Sequence, residues 1–267
     1  MIGSGPLKLA ALLLPALALL LPPIAPADAK MIRYDNAASL ELWETALGRL
    51  WIPKPGSAVI KHLEWEQSVQ KVYDHPLARI RTGDVLLDCG AHIGGFTRVA
   101  LLAGARLVVA IEPERSNILA LQRNCADAMR GGKVILVRKG IWDKPGILLL
   151  HLSTVGDSHS VSIPQNAGKD QPIEITTIDD IVSNLKLPRV DYIKLDIEGG
   201  ELNALKGATQ TLKRWRPRLA VSAYHQKGDP SAICSAVWGI QPGYLVNSKD
   251  RQRKKDGSES PKVLFFH

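Results

Sequence analysis

Short apolar runs alternate with helical stripes over most of this chain, and their order predicts its architecture. Residues 85–87 form an apolar run closed by Asp88, followed by a glycine-rich turn and a helical stretch over residues 96–102. Residues 106–111 form a second run, closed by Glu112-Pro113, and the next helix sets Ile118, Leu121, Cys125 and Met129 on one face. Residues 134–137, 190–195 and 219–224 supply further strands, and Asp196 closes the second of these. Residues 200–214 read as one amphipathic helix with Leu202, Leu205, Ala208 and Leu212 aligned. Continuous apolar strands separated by helices predict an α/β fold with a mainly parallel sheet covered on both faces. Residues 244–247 and 263–266 add a C-terminal antiparallel hairpin around a basic loop.

The flanks read differently. Leu40, Trp43, Leu47 and Leu50 recur at three- and four-residue steps, which predicts a helix over residues 36–51, broken by Pro53-Lys54-Pro55-Gly56. A short strand and helix over residues 58–73 complete an N-terminal helical lead-in, residues 30–82, to a domain spanning residues 83–267. Residues 147–152 follow the turn Asp143-Lys144-Pro145-Gly146, and the polar, Gly/Ser-rich residues 153–171 are expected to lie over the sheet edge near a ligand. Residues 1–29 are a different object. A Leu/Ala run over residues 9–21 follows Lys8 and precedes Pro22-Pro23 and Ala27-Asp28-Ala29, the pattern of a secretory signal. The run falls short of the roughly 20 residues of a spanning helix, and Pro15 interrupts it. Membrane association through an uncleaved anchor therefore ranks second, and a cytoplasmic protein starting at Met31 is the third reading.

Composition narrows the field. Hydrophobic residues make up 45% of the 267, which excludes a wholly disordered chain. Cys89, Cys125 and Cys234 lie far apart without a C-x-x-C, which excludes a disulfide framework and a cysteine zinc site. The net charge of +8 raises nucleic acid as a partner. Most of that excess sits in Lys213, Arg214, Arg216 and Arg218 and in the stretch 249–262, so the remainder is close to neutral and no nucleic-acid partner is expected. The first cluster most simply complements a helix C-terminus.

Chemistry concentrates in Asp88-Cys89-Gly90-Ala91-His92-Ile93-Gly94-Gly95-Phe96. Glycines where a strand turns into a helix let backbone approach a ligand, and amides at the helix start favour an anionic group. Glu112, 22 residues beyond Gly90, ends the next strand, where a carboxylate can accept both ribose hydroxyls. Ala91-His92 stands where a dinucleotide fingerprint wants its second glycine, which disfavours a nicotinamide-dependent oxidoreductase. An acid before a G-x-x-x-G turn better suits S-adenosylmethionine, with Asp88 near its amino-acid part and Glu112 near its ribose.

With Ile111-Glu112-Pro113, Thr177-Ile178-Asp179 and Asp191-Tyr192-Ile193-Lys194-Leu195-Asp196-Ile197-Glu198-Gly199-Gly200-Glu201, that loop makes residues 84–224 resemble the FkbM-type family of class I S-adenosylmethionine-dependent methyltransferases. The last string is similar to the family's K-x-D-x-E-G-x-E signature. The resemblance implies a Rossmann-like fold of seven strands and methyl transfer to a hydroxyl on a small molecule or carbohydrate. A non-catalytic cofactor-binding module on the same fold is the alternative.

Around these motifs the expected cofactor-binding residues are Asp88, Gly90, His92, Gly94, Glu112, Trp142 and Asp143. Trp142 would stack on adenine and Asp143 accept from its amino group, against the plainer reading of a turn acid before Pro-Gly. His92 is expected to start a helix rather than catalyse. Asp196 and Glu198 would offset a sulfonium charge, hold the acceptor or bind a divalent ion; two carboxylates alone do not make a metal site, so none is expected. Glu201 can equally be a helix-start acid facing solvent. His225, just past the fifth strand, is a general-base candidate or a solvated strand-end histidine. Ser158, His159 and Ser160 are candidate acceptor contacts. One tension remains: S-adenosylmethionine is made in the cytosol, so an exported enzyme would need cofactor from across the membrane.

Overall fold

The computed structural model describes residues 29–45, 47–56, 72–151, 170–226, 228–253 and 259–267. The leader, most of the 58–73 lead-in and the Ser158-His159-Ser160 segment lie outside them. Among the described residues no helix is long and apolar enough to cross a membrane.

The core is a seven-stranded sheet. Its parallel centre comprises β4 (Val85–Cys89), β5 (Leu107–Ile111), β6 (Val134–Val137), β10 (Tyr192–Leu195) and β11 (Arg218–Ser222). Antiparallel β12 (Val246–Arg253) and β13 (Glu259–Phe266) complete the order β12-β13-β11-β10-β4-β5-β6. Alternation along the strands sends side chains to two separate cores. Val85, Leu87, Cys89, Val109, Ile111, Ile193 and Leu195 enter one, whereas Leu86, Val108, Ala110, Tyr192 and Phe265 enter the other. Both faces are covered, which is why these strands read as unbroken apolar runs. The predicted Rossmann-like α/β architecture and terminal hairpin are therefore present.

The helices differ in detail. After α1 (Gly95–Leu102), the single helix expected next is two, α2 (Arg115–Asn124) and α3 (Ala126–Arg130), joined at Cys125. Sequence periodicity missed α4 (Ile178–Asn184) and α7 (Asp229–Ile240). The stretch 200–214 divides into α5 (Glu201–Lys206) and α6 (Thr209–Trp215). A Cβ on Gly207 would fall 2.3 Å from the Trp142 carbonyl, so the chain turns where only glycine fits. Asp179 then caps the new helix: its carboxylate accepts from the amides of Gln210 (2.9 Å) and Thr211 (2.8 Å). The Thr177-Ile178-Asp179 motif thus works structurally, Thr177 capping α4 by accepting from the Asp180 amide at 2.9 Å.

The larger departure is at the N-terminus. The helix expected over residues 36–51 is instead an antiparallel meander of β1 (Lys30–Asp35), β2 (Leu40–Thr45) and β3 (Gly48–Pro53). Turn chemistry overrode the helical spacing. The Asp35 carboxylate accepts from the Ala38 amide at 3.2 Å, and the Thr45 hydroxyl donates to the Gly48 carbonyl at 2.7 Å. Leu40, Leu50 and Ile52 then pack on Ile93 and Ala120. Burying Ile93 in this way stabilises by about 2 kcal/mol and fixes the tip of the glycine loop. Asn124 completes the joint, its amide accepting from Trp51 N (2.7 Å) and donating to Trp51 O (2.9 Å) and Ile93 O (2.8 Å).

A third, small sheet holds β7 (Gly140–Ile141), β8 (Gly146–His151) and β9 (Asp170–Thr176) in the order β7-β9-β8. β9 pairs antiparallel with β8, so its residues belong to a strand that the polar composition of residues 153–171 and Pro172 concealed.

Candidate active site

Strand register brings the two motifs together. Lys194 lies opposite Asp88 and Leu195 opposite Cys89, so both motif strands end side by side. Gly90 turns the chain there with φ +81°, and a Cβ on it would lie 1.9 Å from the Asp196 carbonyl. The glycine is required twice, by conformation and by space. The amides of Gly90 and Ala91 both donate to Ile111 O at 3.0 Å. His92, itself at φ +51°, donates its amide to Glu112 Oε2 at 2.8 Å. That amide ties the loop to the acid, and Gly94 caps α1 against Cys125 and Leu121.

Glu112 is buried, and Oε1 accepts from the Glu114 amide (3.0 Å) and Asn117 Nδ2 (3.4 Å). Burial pushes its carboxyl up to about 7, against the lowering effect of these hydrogen bonds. Asp88 is wholly enclosed: Oδ2 accepts from Thr97 Oγ1 at 2.6 Å, and Oδ1 lies 3.4 Å from Lys194 Nζ. Its Oδ2 thus braces the loop, while Oδ1, although near Lys194, is buried without a hydrogen-bond partner. Lys194 is buried with it, donating to Gly90 O at 2.8 Å and lying 3.6 Å from Asp196 Oδ2.

The signature's remaining acids converge with His225 across the end of β10. Asp196 Oδ2 accepts from Tyr73 Oη at 2.7 Å. His225 Nδ1 sits 3.0 Å from Glu201 Oε1, which also accepts from the Ile197 amide at 3.0 Å. His225 Nε2 faces Glu198 Oε2 at 3.4 Å and Asp196 Oδ1 at 3.7 Å. Neither Nε2 nor Asp196 Oδ1 has a hydrogen-bond partner, although both are buried. The His225 side chain is 7% exposed, so it is not the solvated strand-end histidine of the plainer reading, and buried Glu201 does not face solvent.

Charge crowding follows. Burial alone would lower the His225 imidazole, but the Glu201 hydrogen bond and three carboxylates outweigh it and push it up to about 9. Burial, then the Asp196 charge, pushes Glu198 up to about 7. For Asp196, burial works upward, but Lys194 and His225 hold it below the usual carboxylate range.

Trp142 and Asp143 flank this region. The Trp142 ring packs over Gly200 and against the Leu150, Ile173 and Ile175 cluster. Asp143 Oδ1 is buried without a partner, which suits a donor such as an aromatic amino group. Sequence reasoning missed Tyr73, Thr97 and Ser222, which brace the carboxylates. Tyr73 meets Asp196 across 123 residues of chain, beyond the reach of any local pattern.

Comparison with known proteins bears on the whole arrangement. A curated relative, the hexuronic acid methyltransferase AglP of Haloferax volcanii, is 28% identical over 176 residues, 65% of this chain and 68% of that protein. A solved structure, methyltransferase FkbM from Methylobacillus flagellatus KT, matches with a TM-score of 0.52 and 25% identity, over 79% of this chain. The match covers 53% of that longer chain, so this chain spans about half of its length. The profile of the methyltransferase FkbM domain matches residues 88–239, which run from the enclosed aspartate of the glycine loop to the end of the last helix. With the end of β4, the glycine loop, all of β10 and the signature acids inside that match, the chain belongs to the FkbM methyltransferase family.

Proposed function

We propose that this chain is an S-adenosylmethionine-dependent O-methyltransferase acting on a hydroxyl of a small molecule or carbohydrate. The observation that carries this reading is the convergence of the Gly90–Gly94 loop, Glu112 and the Asp196–Glu198–His225 cluster at the carboxyl ends of adjacent parallel strands. The residues present fit the cofactor. Glu112 retains acceptor capacity for ribose hydroxyls, and the orphaned Asp143 Oδ1 can take an adenine amino proton. When bound, S-adenosylmethionine supplies a methyl carbon already activated by a sulfonium leaving group.

The chain's own groups then have separable tasks. The loop and Glu112 orient the donor, and the buried Lys194 holds Gly90 O against the end of β10. Asp196, Glu198 and His225 face the acceptor, and the hydroxyl proton leaves to this cluster or through it to water as the oxygen attacks. A carbohydrate acceptor is supported by the sugar-acid substrate named for the Haloferax volcanii relative.

Calorimetric titration of the chain with S-adenosylmethionine should give micromolar affinity, reduced at least tenfold in Glu112→Ala. Unchanged affinity in that variant overturns the cofactor assignment. Radiolabelled methyl transfer into hydroxyl-bearing sugars, hexuronic acids first, tests the reaction. Binding without transfer to any hydroxyl would favour the non-catalytic module.

A further inference from the structure

We infer that Asp196, Glu198 and His225 form a binding site for one divalent first-row transition-metal ion. One ligand atom from each of the three residues can be chosen so that all lie within 4.8 Å of one another. Nε2 of His225 lies 3.4 Å from Glu198 Oε2 and 3.7 Å from Asp196 Oδ1. Metal–ligand bonds of about 2.0–2.1 Å in tetrahedral geometry place ligand atoms about 3.3–3.4 Å apart, so these pairs need little adjustment.

The histidine turns an acidic cluster into a ligand set. Its side chain is more than nine-tenths buried, and Nε2 has no hydrogen-bond partner while pointing between the two carboxylates. Nδ1 is committed to Glu201 at 3.0 Å. With one proton held on Nδ1 by that carboxylate, a cation that displaces the proton on Nε2 finds its lone pair aimed at the site, an arrangement typical of metal-binding histidines. Asp196 is prepared in the same way: Tyr73 bonds Oδ2, and Oδ1 is buried and unpartnered. Glu198 and Asp196 retain 28% and 19% exposure, so an open side remains for water or an acceptor oxygen.

The sequence-based expectation of no metal weighed two carboxylates alone. An imidazole added to two carboxylates favours Mn2+ through Zn2+ over Mg2+ or Ca2+, which prefer oxygen throughout. If methyl transfer is as proposed above, a cation here would bind the acceptor oxygen and ease loss of its proton, any proton displaced from Nε2 passing to solvent. The binding site itself does not depend on that reaction.

The test uses the full chain after chelator treatment, with Mn2+ alone as probe, followed by loss of the free-ion electron paramagnetic resonance signal. One equivalent should bind saturably below millimolar concentration. His225→Gln and Glu198→Gln should each weaken binding at least tenfold. Glu201→Gln should weaken it roughly 10–100-fold, although Glu201 is no ligand. Mg2+ should displace Mn2+ only at tenfold or greater excess. Circular dichroism melts verify that each variant is folded, and Glu174→Gln, at a surface acid outside the cluster, should bind as the parent does. Absence of saturable binding, equal binding in both ligand variants, or displacement by equimolar Mg2+ overturns the site. Since no cofactor or acceptor is present, failure here is separate from failure of methyl transfer. Mn2+ binding without transfer would sink only the reaction, and transfer persisting after chelation without Mn2+ binding would sink only the metal.

Discussion

Replacing Gly90 with alanine isolates the contact that joins the two motifs. The new Cβ would sit 1.9 Å from the Asp196 carbonyl oxygen, more than an ångström inside the 3.0 Å that real Cβ contacts respect. The left-handed conformation at φ +81° alone costs an alanine about 1–2 kcal/mol. Overpacking adds about 1–3 kcal/mol, and more where backbone must shift. Both neighbours here are strand ends locked in register, so the expected total is at least about 3 kcal/mol. Gly132→Ala is the matched control, with φ +68° and nothing within 4 Å of its Cβ, so it carries the conformational cost only. A domain of this size loses roughly 2–4 °C of melting temperature per kcal/mol. Thermal melts by circular dichroism should therefore place Gly90→Ala at least roughly 2 °C below Gly132→Ala. Equal melting temperatures would refute the close approach of the loop to β10. S-adenosylmethionine affinity should fall in Gly90→Ala and not in Gly132→Ala.

Two further outcomes follow from buried charge. Arg218 Nη2 donates to both oxygens of Asp84 at 2.8 Å in a mostly enclosed pair. Arg218→Ala strands that carboxylate and should cost about 3–5 kcal/mol in urea unfolding, with Asp84→Ala in the same chain recovering part; a single-variant cost under about 1 kcal/mol contradicts the pairing. Glu112 has its folded carboxyl pushed from 4.5 up to about 7 chiefly by burial, the neighbouring Glu114 charge adding to it. The stability it confers is therefore complete below about pH 4.5 and is lost as pH rises through about 7, by up to about 3 kcal/mol. Paired urea midpoints should show the parent losing ground to Glu112→Gln between about pH 5 and 7.5, and a constant offset would refute the buried, raised carboxyl.

Much of this was legible because the parallel core writes itself locally. Val85-Leu86-Leu87 and Ile193 are buried on both faces, so their order along the chain sufficed to place Asp88 and Asp196 at one end of the sheet. The meander was illegible for the opposite reason. Leu40, Trp43, Leu47 and Leu50 have helical spacing, and only Asp35, Thr45 and Gly48 turning the chain, with Ile93 waiting as a partner, decide for strands. At the site, Glu112 and the signature acids were readable from motif spacing, whereas the imidazole cage was not. It depends on Glu201 turning inward from the first turn of α5 and on Tyr73 arriving from outside the motif region.

The placement of β13 bears on how the protein is made. β11 bonds β10 on one side and β13 on the other, so β13 seals a strand whose residues Leu219–Val221 are fully buried. The family match ends at residue 239, before β12 and β13. A fragment cut to that match would expose an apolar edge strand, a template for intermolecular pairing. The same edge stands open during synthesis until residue 266 has left the ribosome. Protection of that edge therefore waits on β13, translated long after the glycine loop and the signature acids.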